Sequence, residues 1–264
     1  MRDRADVYFT MGASHQVCED YALSGRGPGG AFVVVSDGCS SAPQTDVGAR
    51  LLAHAAAQQL RTTSALSLDA LIVRAAAVAR HLTLAAGALD ATLLAAWRVG
   101  SRVEIAVAGD GVVVALPRAP EEAPVGWRVE DEDQAPGYPA YTGDRFDAYC
   151  ARYGRRRVSL SRQGVEVSRW RQPIRERKDL CLRWSLPVAA VSGLLIASDG
   201  VASFRRDDEP VEPMAIAAEL TAFRTTTGAF LQRRARRFLG RTCPTLGYAH
   251  HDDIALGALL PEAA

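Results

Sequence analysis

Ala31-Phe-Val-Val-Val-Ser-Asp-Gly38 is an apolar run that stops abruptly on a carboxylate and a glycine. Apolar on nearly every residue, it suits a strand buried on both faces. The same ending recurs in Ala106-Val-Ala-Gly-Asp110-Gly111 and Leu194-Leu-Ile-Ala-Ser-Asp199-Gly200. Asp252-Asp253 precedes a further apolar run, Ile254-Ala-Leu-Gly-Ala-Leu-Leu260, and Glu19-Asp20 adds an acidic pair near the N-terminus. A single Asp-Gly after a strand is ordinary turn chemistry. Its repetition points elsewhere: if these strands are neighbours, their ends deliver several carboxylates to one rim.

Outward from these runs, strands are also expected at Arg102–Ala108 and Val112–Leu116. Val47–Leu60 and Ser67–Leu82 read as alanine-rich helices of structural role, with Ser67 the N-cap of the second. A second helical pair is expected over Glu212–Phe223 and Thr225–Leu239. Helices grouped in pairs between strand blocks indicate an α+β layering, not a βαβ alternation. The 264 residues suit one domain over 1–264, with an irregular excursion at about 117–183. That excursion holds the acidic run 130–133 and arginines at Arg155-Arg-Arg157 and from Arg169 to Lys178, expected to be solvated strand faces. Val158, Leu160, Val165 and Val167 still alternate like strands, and Trp127, Trp170 and Trp184 are expected to pack the region.

Composition excludes several classes. The chain is 48% hydrophobic and 23% charged, so disorder and repetitive fibrous folds do not apply. Its 31 Lys+Arg and 30 Asp+Glu leave +1, too little for a nucleic-acid binder that works by bulk charge. Five scattered cysteines without a CxxC pair suit neither zinc nor a disulfide framework. The opening Met1-Arg-Asp-Arg-Ala-Asp-Val7 has no apolar signal core, and no run approaches the ~20 residues of a membrane span. A reduced, cytoplasmic protein without a membrane partner is the expectation. Adjacent His250 and His251 are read as a surface pair, and Cys39 as a small filler beside the carboxylates.

Carboxylates crowded at one rim repel, so they require protons or a cation. Oxygen donors without His or Cys select hard ions, Mg²⁺ or Mn²⁺. Two such ions ~4 Å apart would clamp a phosphoryl group and acidify a bridging water for in-line attack.

Taken in order, Glu19-Asp20, Ser36-Asp37-Gly38, Gly109-Asp110-Gly111, Ser198-Asp199-Gly200-Val201 and Asp252-Asp253-Ile254-Ala-Leu256 resemble the PP2C (PPM) metal-dependent serine/threonine protein phosphatases. Gly12-Ala-Ser-His15 with Cys18-Glu-Asp20 is similar to a bacterial branch of that family. The resemblance implies a four-layer α/β/β/α sandwich, two antiparallel sheets flanked by helix pairs. It implies that Asp37 bridges two Mg²⁺ or Mn²⁺ ions, that the Gly38 carbonyl holds one with Glu19 and Asp20, and that Asp199 and Asp252 complete the other. Asp110 stands where relatives bind a third ion, and Asp253 takes a supporting place beside Asp252. The implied activity is hydrolysis of phosphoserine or phosphothreonine by a metal-bridging water. The implied partners are a phosphoprotein and a companion kinase.

Two positions depart from the pattern. His15 stands where many relatives have a phosphate-gripping arginine, and Cys39 where eukaryotic members have a proton-donating histidine. His15 is a weaker phosphate ligand near neutral pH, so Arg50 or an arginine of the 117–183 excursion is expected to replace that grip. Two rivals follow: an inactive module of the same fold that binds phosphoproteins or regulates a kinase, and a two-metal hydrolase of nucleotides or small phosphoesters.

Overall fold

Strands apolar on both faces need a cover on each side. In the computed structural model, which describes residues 3–119, 121–131, 135–162 and 165–263, a second sheet covers one side and helices the other. In chain order, β1 (Arg4–Thr10), β2 (Tyr21–Gly27) and β3 (Gly30–Ser36) lead into α1 (Thr45–Thr62) and α2 (Leu68–His81). β4 (Leu93–Val99), β5 (Arg102–Ala108), β6 (Gly111–Pro117) and β7 (Val125–Asp131) precede α3 (Phe146–Tyr153). Next come β8 (Arg155–Arg162), β9 (Val165–Pro173), β10 (Cys181–Pro187), β11 (Val191–Ala197) and the short β12 (Phe204–Arg206) and β13 (Glu209–Pro210). The order closes with α4 (Pro213–Thr221), α5 (Phe230–Arg237), α6 (Cys243–Leu246), β14 (Tyr248–His250) and β15 (Ile254–Leu260).

One sheet has the order β1-β15-β11-β6-β7-β8-β9 and the other β10-β5-β4-β3-β2, with a small third sheet β13-β12-β14. Strand alternation then sorts each side chain to a layer. Val33 and Val35 of β3 meet Leu194 and Ile196 of β11 between the two large sheets. Phe32 and Val34 turn the other way, onto Leu52 and Leu71 of α1 and α2. Leu195 and Leu256 face Ile216, Leu231 and Phe238 from the second helix layer. Each such large apolar side chain contributes about 1.5–3 kcal/mol by leaving water. The architecture is the α/β/β/α sandwich of α+β class that the motifs imply. Among the described residues, no helix is long and apolar enough to cross a membrane.

The local readings meet several corrections. Ser67 does cap α2, accepting from the Ala70 amide at 3.4 Å. α5 starts at Phe230 rather than Thr225, because the run Thr225-Thr-Thr-Gly228 has weak helix preference and Gly228 sits at φ 58°. The start of α5 is capped from afar: Asp6 on β1 accepts the amides of Leu231 (2.7 Å) and Gln232 (3.1 Å). Trp127 and Trp184 do pack, 5.6 Å apart, whereas Trp170 lies on an exposed strand. His250 is half-buried against the Phe204 ring, and only His251 is a surface residue.

The excursion is mostly sheet. β7, β8 and β9 lengthen the first sheet, and β10 crosses to the edge of the second, pairing with β5. Of the acidic run 130–133, residues 132 and 133 lie outside the described residues. Arg156 overturns the expectation of a solvated basic face. Alternation turns it inward between Arg155 and Arg157, where it is fully buried. Its guanidinium donates to Asp131 Oδ1 (3.1 Å) and to the Leu180 carbonyl (3.0 Å), while Asp131 Oδ2 accepts the Gly137 amide (2.7 Å). Removing one partner of a buried pair leaves the other charge uncompensated. Arg156→Met is therefore expected to cost about 3–5 kcal/mol in urea unfolding. Adding Asp131→Asn removes the stranded charge and should recover part of the loss. No recovery would show that the arginine acts through its carbonyl contacts alone.

Candidate active site

The acidic strand ends do meet. Asp37 follows β3, Asp110 lies between β5 and β6, Asp199 follows β11, and Asp252 precedes β15. All four line one cavity of about 360 Å³, together with Glu19, Gly38, His15 and Cys39. Asp20 lies beneath it, buried. Antiparallel pairing sets the convergence: β11 is bonded to both β6 and β15, which fixes three of the four carboxylates at one end of that sheet. β3, stacked on β15 across the core, brings Asp37 from the other sheet.

Hydroxyls and amides hold the acids in place. Ser198 Oγ donates to Asp20 Oδ2 at 2.6 Å and accepts the Ala255 amide at 2.9 Å. Ser36 Oγ donates to the Thr92 carbonyl (2.6 Å), and Thr92 Oγ1 accepts the Asp37 amide (3.1 Å). Thr45 Oγ1 donates to Glu19 Oε1 (2.9 Å). Asp253 spends its carboxylate on the backbone, accepting the Gly12 amide (2.7 Å) and the Glu19 amide (2.6 Å). It thereby fixes the loop that carries His15, Glu19 and Asp20. Two glycines permit the close approach. A Cβ on Gly200 would stand 1.7 Å from the Asp253 carbonyl oxygen, and one on Gly38 would stand 2.8 Å from that of Thr45.

The electrostatics are those of crowded acids. Burial, then the charges of Asp20, Asp199 and Asp110, pushes Asp37 well above the usual carboxylate range. Burial raises Asp20 likewise, and the hydrogen bonds of Ser198 and Asp37 offset only part of it. Asp110 is raised by burial and then by Asp199 and Asp131, and Asp252 by burial and then by Asp199. Glu19 is raised by burial against the pull of its Thr45 bond. Asp20 Oδ1 is buried with no partner of normal hydrogen-bond geometry, although the Asp37 carboxyl is near enough to share a proton.

A hard divalent ion fits this donor set. Every acidic donor is oxygen, most are pressed to hold protons, and one buried oxygen is orphaned. Among the described residues, no three His, Cys, Asp or Glu side chains already surround a common point at metal-binding distance. The acids instead lie against each other, and His15 lies among them. Its Nε2 is 3.1 Å from Asp252 Oδ1, and its Nδ1 is 3.4 Å from Asp253 Oδ2 and 3.7 Å from Glu19 Oε2. Both ring nitrogens thus face carboxylates, not the open cavity.

Arg50 does not line the cavity; it pairs with Asp46 (3.3 Å) and lies over the Tyr21 ring. Arg128 on β7 does line it, the one Lys or Arg to do so among the described residues, held at 2.7 Å by Glu130. Arg128, Tyr138 and Thr92 had no individual sequence signal. Ser198 had one, since Ser-Asp-Gly occurs twice with the serine as brace in both. Burial holds the Tyr138 phenol far above its ordinary value, so it stays protonated. Burial, then Asp253 and Asp20, pushes the Cys18 thiol up to about 12.

Comparison with known proteins bears on the family and the fold. A family model described as protein phosphatase 2C matches residues 12–239. The serine/threonine phosphatase Stp1 of Staphylococcus aureus superposes with a TM-score of 0.58 at 10% identity, over 100% of this chain and 96% of that one. The serine/threonine phosphatase PstP/Ppp of Mycobacterium tuberculosis gives 0.55 at 16% identity, covering 100% of each. That of S. agalactiae gives 0.58 at 11%, over 98% of this chain and 100% of that one. No curated protein matches the sequence significantly.

A carboxyl whose pKa is raised by folding binds more protons folded than unfolded. Its burial therefore costs nothing at low pH and destabilises increasingly as pH rises from the unfolded value toward the folded one. Without divalent ions, Asp37→Asn should remove that penalty and raise the melting temperature near neutral pH. The variant should lose the stabilisation that Mn²⁺ or Mg²⁺ gives the parent. An unchanged melting temperature with an intact metal response would show that Asp37 is not part of the strained cluster.

Proposed function

The chain belongs to the protein phosphatase 2C family, and from that premise we propose that it is an active phosphatase that hydrolyses phosphoserine and phosphothreonine in proteins. The observation that carries this reading is the meeting of Asp37, Asp110, Asp199 and Asp252 in one cavity. Asp37 and the Gly38 carbonyl, with Glu19 and Asp20, would hold one Mg²⁺ or Mn²⁺; Asp37, Asp199 and Asp252 would hold another, and Asp110 a third. Bound there, such ions neutralise charge on the phosphoryl oxygens and acidify the attacking water.

The remaining work falls to the chain's own groups. Asp253 positions the Gly12–Asp20 loop through two backbone amides. His15 orients Asp252 rather than gripping phosphate. Arg128 supplies that grip, its fork suited to two phosphoryl oxygens once it parts from Glu130. Tyr138 serves as a hydrogen-bond donor at the cavity wall, not as a proton source. A companion serine/threonine kinase would supply the phosphoprotein, and five free thiols favour a reducing cytoplasm as the setting.

A second reading, a binding module on the same fold, is favoured by His15, whose nitrogens lie against Asp252 and Glu19, carboxylates that the ions would need. Turnover of a phosphothreonine peptide separates the two. The parent should hydrolyse it only with Mn²⁺ or Mg²⁺, and Asp37→Asn should abolish the activity. Absence of metal-dependent hydrolysis would favour the module, and nucleotides turned over faster than the peptide would move the substrate class. Arg128→Ala should raise KM for the peptide by roughly 10–100-fold, with the smaller effect on kcat, as expected on losing a charge-assisted contact. An unchanged KM would place the phosphate grip elsewhere.

A further inference from the structure

The near-neutral total hides a strongly polarised helix. From Arg224 to Arg241 the chain carries Arg224, Arg233, Arg234, Arg236, Arg237 and Arg241 and no acidic residue. Phe230, Leu231, Ala235 and Phe238 pack inward beneath the seven-stranded sheet. All six guanidinium-bearing side chains line a single cavity of about 510 Å³, within the size range of small-ligand sites. It shares no lining residue with the acidic catalytic cavity.

The arginines are not used up internally. Arg234 is neutralised by Glu219 at 2.6 Å. Arg233 is fixed but not neutralised: it donates to Thr225 Oγ1 (2.9 Å) and to the Thr227 carbonyl (2.7 Å), pinning the turn whose Thr225 lines the cavity. Arg224, Arg236, Arg237 and Arg241 are exposed and have no acidic partner among the described residues. Five unneutralised cations beside one cavity repel each other, and a multivalent anion relieves that repulsion more than a monovalent one does. Guanidinium forks match phosphate oxygens two at a time. A concave site walled by a pinned loop suits a compact anion better than a flat surface or a long helix.

We propose that this cavity binds an oligophosphate, a short run of linked phosphates either free or carried on a nucleoside, at a site apart from the catalytic one. The test is calorimetric titration of sodium tripolyphosphate, and separately of ADP, into the intact metal-free protein. Without metal, the acidic cavity lacks the ions that would draw phosphates to it, and Arg128→Ala there should leave the titration unchanged. The expected result is one tripolyphosphate per chain, weakened by raised salt and at least about tenfold by Arg236→Ala combined with Arg237→Ala. That variant should keep its basal phosphopeptide hydrolysis and far-ultraviolet circular dichroism. If it misfolds, Arg224→Gln, which lies in the loop before the helix, gives the same reading at smaller amplitude. Comparable binding of both probes assigns recognition to the phosphate chain, and binding of ADP alone assigns it to a nucleoside-borne one. Binding of neither probe, affinity unchanged by the substitutions, or tighter binding of an acidic decapeptide or a single-stranded oligonucleotide would overturn the proposal.

Discussion

Mutual repulsion among carboxylates that folding forces together is the constraint around which this protein is organised. Glu19, Asp20, Asp37, Asp110, Asp199 and Asp252 come from widely separated parts of the sequence, yet they share one small region of space. No surface loop would hold such a group against its own field. The restraint comes from the sandwich: two sheets, packed through Val33, Val35, Leu194 and Ile196, leave the strand ends little freedom to separate. Charge at the site is thus maintained by apolar contacts away from it.

Restraint also comes from a layer of neutral donors. Ser198, Thr45 and Thr92 spend their hydroxyls on acids or on the backbone beside them, and Asp253 gives both oxygens to amides. These bonds orient the acids without neutralising them, so the cluster keeps its appetite for cations. His15 belongs to the same economy, since its ring lies among three carboxylates.

The acidic rim was legible because strand runs and their acidic ends lie side by side in the chain, Asp37, Asp110 and Asp199 just after a strand and Asp252 just before one. Ile254–Leu260 and Arg102–Ala108 were visible as runs with correct limits for the same reason. Information that exists only across strands was not legible. Arg156 reads as one of three consecutive arginines, and only its pairing partner shows that it faces Asp131. Arg128 becomes a site residue only because β7 is laid beside β6. The start of α5 depends on Asp6, more than two hundred residues earlier, which no local pattern announces. The net charge likewise concealed an acidic cavity and a basic one that share no residue.

The pairing of β1 with β15, from Arg4 opposite Leu260 to Thr10 opposite Ile254, has a bearing on biogenesis. β1, which precedes every other strand of the sandwich in sequence, has as its hydrogen-bonding neighbour the strand that follows all the others, and its Asp6 waits for a helix more than two hundred residues further on. Until β15 has been made, β1 lacks its partner along that edge, and closing the pair pays the loop entropy of the whole sandwich between them. Closure of the seven-stranded sheet therefore waits for its most distant pairing, and a chain that has made β1 but not yet β15 is the species most open to mispairing.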